Sequence, residues 1–382
     1  MASTLDPVAP PRAGRIVGLD IARALAMLGM VIVHYVWSDE TGEFLDTVAL
    51  AMVGRAMPLF MMLGGVGVVL TTRRSQTPDR DLLIRAAMLF LLGLVVHELT
   101  ARIAIVLQSY GLLFAMAPLF RRLPRPALLG GAAVTTAVGA VTYQLIDWPP
   151  AFTRFEDLFT PGPLVESLFI DGYYPFFPVA AFFLFGMWLG GVDLRSDRVA
   201  ASLAVGGAVV GFGSLWLANG AASLLELELS RSDADQRFEW SALLNAEGHS
   251  EMPAWVLSAG GTSAMVIGLS LLVGARVGRW LHPVAALGRL ALTFYVFQAL
   301  VIHLTPEPTG TEPPEEFGYV ALIYFGFMAF AVGWTSLFRS GPLESLLRVG
   351  SGPRIGAGDR SGPAVGMGHV LELPPQQHQQ HR

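Results

Sequence analysis

Apolar stretches long enough to cross a membrane recur from near residue 16 to near residue 338, and nothing else in the chain constrains its fold as much. A helix crossing a hydrocarbon core of about 30 Å needs roughly 20 mostly apolar residues. The chain is 53% apolar and 14% charged over 382 residues, more apolar surface than a soluble core can bury. The pattern predicts about ten spanning helices, over 16–37, 47–72, 82–99, 101–120, 126–146, 172–192, 199–220, 253–275, 283–304 and 317–338. Ile16 to Trp37 follows Arg12 and Arg15 as a signal peptide would, but it is longer than a usual apolar signal core and holds Asp20 and Arg23, so it reads as a retained helix.

Arginine placement sets the orientation, because short cytoplasmic loops carry an excess of basic residues. All 25 basic residues are arginine. With the N-terminus inside, the inner loops collect Arg73, Arg74, Arg80 and Arg85, then Arg121, Arg122 and Arg125, then Arg195 and Arg198, then Arg276 and Arg279, and finally Arg339 and Arg348. The outer loops are acidic, with Asp39, Glu40, Glu43 and Asp46 early and Glu226 through Glu251 late. Adding or removing one span would reverse every loop downstream. The expected fold class is therefore all-α, a polytopic membrane helix bundle in the plasma or inner membrane with both termini cytoplasmic. Residues 1–15 form the N-terminal segment, 16–340 the membrane domain, and 341–382 a cytoplasmic, largely disordered tail rich in Gly, Pro and Gln. Segments 147–171 and 221–252 are too polar to span and read as outer loops or short interfacial helices.

The absence of cysteine excludes disulfides, thiolate metal sites and a cysteine nucleophile, and the absence of lysine excludes Schiff-base chemistry. No metal-binding spacing, nucleotide fingerprint or nucleophile elbow is present, so neither a metal nor nucleic acid is expected. LGGVGVVL at 63–70 suggests close helix packing instead of a phosphate loop.

Ionisable residues inside a bilayer are costly and face a cavity or one another, so they mark candidate sites. Asp20 and Arg23 lie three residues apart on one face of the first helix near its cytoplasmic end. They form either an ion pair that fixes packing or, with Arg73 and Arg74, a site for the phosphates of a donor. His34 lies about 21 Å further along at a rise of ~1.5 Å per residue, toward the outer leaflet. It is either a hydrogen-bonded packing residue or a general base whose pKa suits neutral pH. Arg55, in the outer half of the second helix, needs a carboxylate or a polar cavity. His97, Arg102, Asp171, Tyr173, His249 and His303 fall at outer helix ends or outer loops and, with Gln108 and Tyr110, could border the same mouth.

The blocks RIVGLDIARALAMLGMVIVHY, GRAMPLFMMLGGVGV, IVLQSYGLLF, DGYYPFFPVAAFFLFGMWLGG, GRLALTFYVFQ and GPLESLLR span about residues 15–348. Together they resemble bacterial membrane proteins related to heparan-alpha-glucosaminide N-acetyltransferase, including the YeiB-like group. The resemblance implies a transmembrane acyltransferase that takes acetyl, or another acyl group, from cytoplasmic acyl-CoA and delivers it across the membrane to a glycan or other envelope acceptor. Arg15, Asp20 and Arg23 match the opening motif, with Ala24 in place of its glycine. His34 stands where the lysosomal enzyme often has asparagine, and residues 38–54 lack that enzyme's loop histidine. On this reading His34 deprotonates the acceptor, Arg55 or Arg102 stabilises the oxyanion, and His249 belongs to the same outer site. A transporter whose charged residues line a permeation path, or a scaffold whose charges pair internally, would use the same residues differently. Beyond membrane lipid and the acceptor no partner is implied, and no oligomeric state is read from the sequence.

Overall fold

A computed structural model describes residues 14–35, 51–73, 75–100, 103–145, 159–160, 162, 168–169, 174–227, 229, 238–278, 280–305 and 313–349. Among these the chain folds into helices α1 (Val17–Tyr35), α2 (Ala56–Thr72), α3 (Pro78–Leu99), α4 (Leu107–Phe120), α5 (Arg125–Leu145), α6 (Phe176–Gly190), α7 (Asp197–Leu224), α8 (Pro253–Val277), α9 (His282–Arg289), α10 (Ala291–Leu304), α11 (Pro313–Leu337) and α12 (Pro342–Val349), with a 3₁₀ turn at Ser241–Leu244. The chain is thus an all-helical bundle, and each predicted span has a helical counterpart. On length and composition six helices qualify as spans: α1, α3, α5, α7, α8 and residues Gly318–Leu337 of α11. The pair α9 and α10 passes the same test only jointly, because it is bent by 78°. Helices α2, α4 and α6 are apolar but shorter, with 17, 14 and 15 residues.

Local chemistry accounts for several of the boundaries. Proline, which lacks the amide hydrogen that a first turn leaves unused, opens α3 and α8 and takes the second position of α9. The second helix begins at Ala56 and not near residue 47, because Gly54 adopts φ +67° and turns the chain just before it. Arg55 is accordingly the residue preceding α2, whereas the apolar run placed it inside the helix. The ninth span breaks at Leu290, whose φ of −107° and ψ of 29° leave the helical region. Within the segment expected as tail, the described residues include one more helix. Pro342–Val349 form α12, and Glu344 from it caps the new helix after the break. One carboxylate oxygen accepts from the amides of Leu292 (2.8 Å) and Thr293 (3.1 Å), and the other from the Thr293 hydroxyl at 2.6 Å.

The helices run up and down between two chemically distinct ends. At one end Asp79 accepts from Arg121 (2.8 Å) and Arg122 (2.7 Å), Arg276 pairs with Asp197 at 3.5 Å, Arg195 reaches the Gly14 carbonyl, and Arg289 donates to the Arg339 carbonyl at 3.0 Å. The start of α1 and the end of α11 therefore share the arginine end. At the other end Trp255 donates to the Gly54 carbonyl at 3.1 Å, and Gln144 accepts from the Glu239 amide at 2.7 Å. The Gly-rich run packs as expected: Gly65 meets the backbone of α6, and Gly186 meets that of α2, so closely that a methyl group on either would collide with main chain.

Helix length now shapes the molecule. Helices α2 through α7 all turn beside arginine-end loops, but at about 1.5 Å per residue α2, α4 and α6 are roughly 25, 21 and 22 Å long, while α3, α5 and α7 are roughly 33, 31 and 42 Å. The N-termini of the three short helices therefore start below the ends of the longer helices, on the side opposite the arginines. Non-helical backbone at 53–55, 103–106 and 174–175 leads into them and is buried or half-buried, as non-helical backbone within a bilayer must be.

Candidate functional site

The first turns of α2, α4 and α6 meet at this level. Tyr110 in the first turn of α4 donates to the Phe60 carbonyl of α2, and Ser109 donates to the carbonyl of Tyr174 before α6 at 3.5 Å. Three helix N-termini, each with unused amide hydrogens and the positive end of its dipole, converge there. Above them the loop before α8 folds in: Gly54 lies against Gly248 and His249, so tightly that a side chain at 54 would strike their backbone.

His249 is the centre of this cluster. Its ring lies 6.1 Å from that of Tyr174 and 6.0 Å from that of Trp255, and its Nδ1 is 3.8 Å from a carboxylate oxygen of Glu251. Glu251 is buried, and burial pushes its pKa up, while its contact with His249 pulls it back down. Both residues hold left-handed backbone, φ 64° and 59°, a strained conformation outside glycine. His249 also lines a cavity of about 240 Å³ with Tyr143, Gln144, Asn245 and Ser250. Arg55 joins the cluster from below, its guanidinium 3.4 Å from the Ser258 hydroxyl and 3.3 Å from the Ala51 carbonyl.

His34 approaches the same end from the opposite side. The amide of buried Gln298 on α10 engages its Nδ1, and the Gln298 carbonyl oxygen is buried with no hydrogen-bond partner among the described residues. One turn earlier on α10, the Tyr295 hydroxyl accepts from the Val106 amide at 3.1 Å and lies within electrostatic reach of Tyr174. A polar arc thus runs from His34 through Gln298, Tyr295 and Tyr174 to His249, Glu251 and Arg55.

The arginine end holds a second polar centre. Asp20 is buried with both oxygens occupied: Arg15 grips it with Nε and with Nη2 (2.8 Å), and Arg23 adds Nη1 at 2.7 Å. Arg289, at the break between α9 and α10, lies within electrostatic reach of Asp20 and Arg15, and its buried Nε has no hydrogen-bond partner among the described residues. Three guanidiniums facing one carboxylate leave net positive charge.

Residues 15–216, more than half of the chain, match the catalytic family of heparan-alpha-glucosaminide N-acetyltransferase. The chain belongs to that family. Residues 198–352 match a second family, described as a protein of unknown function (DUF418), and no curated protein matches the chain. This makes it a multi-pass membrane protein related to acyltransferases, and both polar centres straddle the two matched regions. Arg55, Tyr174, His34, Asp20 and Arg23 come from the acetyltransferase-family region; His249, Glu251, Gln298 and Arg289 come from the other.

Of the residues singled out by sequence, His249 packs against Gly54 while its neighbour Arg55 turns to Ser258 of α8, His34 lies along the same arc, and Asp20 and Arg23 form the anticipated pair. Gln108 and His97 are buried in the α3–α4 hairpin, where the Gln108 side chain packs against Gly93, one turn before His97. Tyr110 sits deeper than the rim because α4 starts low, and its hydroxyl is spent on the Phe60 carbonyl. His303 is exposed in the last turn of α10, and Arg73 is exposed just after α2. Arg74, Arg102, Asp171 and Tyr173 lie outside the described residues. Sequence reasoning left out Gln298, Glu251, Trp255, Tyr295 and Arg289. A lone amide in the apolar run LTFYVFQALVI is a usable signal for Gln298. Glu251 sits in a polar loop whose composition offers none.

Proposed function

We propose that this protein transfers an acetyl or other acyl group from cytoplasmic acyl-CoA to a sugar or other envelope acceptor on the far side of the membrane. The observation that supports this reading is α1 itself, which joins an arginine-rich centre at one end to a hydrogen-bonded imidazole at the other, within a chain of the acetyltransferase family. Acyl-CoA, when bound, supplies the activated thioester. Arg15, Arg23 and Arg289 would fit its phosphates: they carry charge in excess of Asp20, and the buried Nε of Arg289 has no partner among the described residues.

At the outer end His34 takes the proton of the acceptor hydroxyl or amine. The orientation of the Gln298 amide governs this role. With its oxygen turned to Nδ1–H, Gln298 satisfies that oxygen and leaves Nε2 as the basic nitrogen. Arg55, together with the amide ends of α2, α4 and α6, stabilises negative charge developing on the acyl oxygen. His34→Ala in proteoliposomes supplied with labelled acetyl-CoA on the cytoplasmic face should lower transfer by roughly 10²–10⁴-fold, the usual contribution of a general base. Full turnover in that variant would remove His34 from the mechanism, and turnover without acyl-CoA, with solute counterflow, would favour a transporter instead.

A further inference from the structure

Away from both polar centres, the bundle carries an apolar groove of about 690 Å³ between α5 and α7, floored by α6 and α8. It is within the size range of ligand sites in proteins. Its two walls are the most outward-facing spans of the molecule, with only 22% of each buried, so the groove opens sideways into the lipid. Paired glycines shape it. Gly207 and Gly261 interlock α7 with α8, where a methyl group would strike the facing backbone; their neighbours Gly206 and Gly260 face open space, Gly206 with nothing within 4 Å and Gly260 with only the Phe182 ring at 3.5 Å. One glycine of each pair joins the helices and the other leaves room beside them.

Chemistry limits what can fill that room. The lining is apolar apart from Thr136, whose hydroxyl is spent on the Ala132 carbonyl, and Ser202 and Arg198 of α7, so beyond those two residues of α7 water gains no side-chain partners there. In a bilayer the medium beside the opening is hydrocarbon chain. At the arginine end the groove closes on Arg198, exposed in the first turn of α7. Its neighbour Asp197 is already paired with Arg276 at 3.5 Å, and Arg198 itself has no ion pair among the described residues. An apolar slot running toward mid-membrane from a guanidinium with no ion pair among the described residues has the polarity of a phospholipid. We propose that the groove seats one hydrocarbon chain of an anionic phospholipid whose phosphate is held by Arg198.

Trp188 lines the groove and serves as the reporter, because bromine atoms on a lipid chain quench indole fluorescence on contact. The full chain is reconstituted in phosphatidylcholine vesicles with a minor fraction of either brominated phosphatidylglycerol or brominated phosphatidylcholine. The part of the quenching that Trp188→Phe abolishes is then read. That part should be about fivefold larger with the anionic lipid, as expected for one basic side chain at an anionic headgroup. Arg198→Gln should bring it to the phosphatidylcholine level, and Gly206→Leu, alone or with Gly260→Leu, should abolish it for both lipids. Equal quenching by the two lipids, or an undiminished preference in Arg198→Gln, overturns the phosphate seat. Absence of quenching at Trp188, or quenching unchanged by Gly206→Leu, overturns the chain seat.

Discussion

At the residue scale the most consequential group is Glu251, a buried carboxylate beside His249 in a loop of strained backbone. Burial raises its pKa above the ordinary glutamate value of about 4.3. In the window above that value the folded state holds more protons than the unfolded one, so stability is greatest at acid pH and is lost as pH rises through the folded pKa. His249 opposes the shift, since its charged form favours the carboxylate. Glu251→Gln should therefore raise the melting temperature at pH 7 and flatten its rise between pH 7 and pH 5; a curve superimposable on that of the wild type would show that the carboxylate titrates normally. The sequence points to His249 because histidines are rare and conspicuous. It holds no hint of Glu251, one of several acidic residues in a polar loop, since burial is what distinguishes it.

At the element scale, where helices stop matters more than how many there are. The low starts of α2, α4 and α6 bring their first turns together beneath the loop before α8, and the break before α10 places Gln298 opposite His34. That break is held by Glu344 from α12, which binds two amides and a hydroxyl at the start of α10. Replacing Glu344 by alanine removes this cap and should cost about 1–2 kcal/mol, seen as a lower unfolding midpoint in detergent, with Glu344→Gln recovering part of the loss. An unchanged midpoint would mean that the kink is maintained by packing alone. The segment Pro342–Val349 falls within the stretch read in sequence as tail, because an eight-residue helix is too short to be stable by itself. Its order comes from the partner it caps.

At the scale of the whole molecule, the arginine turns meet one another at one end and the aromatic and histidine residues meet at the other. The native chain has no cysteine, so single cysteines can test which end faces the cytoplasm without a background. Gln76→Cys, exposed at the arginine end, should react with an impermeant maleimide only after the cells are permeabilised, while Glu247→Cys, exposed at the other end, should react in intact cells. The reverse pattern would invert the orientation and place the donor site outside. Labelling of both from outside would contradict the up-and-down bundle.

The sequence by itself determined the all-helical membrane bundle, the order and rough extent of its helices, and the segregation of arginines to alternate turns. Apolar run length and loop charge are local quantities, fixed wherever the chain ends up. Tertiary structure alone decided the depth of the helix starts, the approach of Arg289 to the Asp20 ion pairs, and the meeting of His34 with Gln298, 264 residues apart in the chain. Those contacts depend on which helix faces which and at what height. Glycine-permitted close approach and the backbone turns at Gly54 and Leu290 set both, and no window of sequence contains the two partners whose packing settles them.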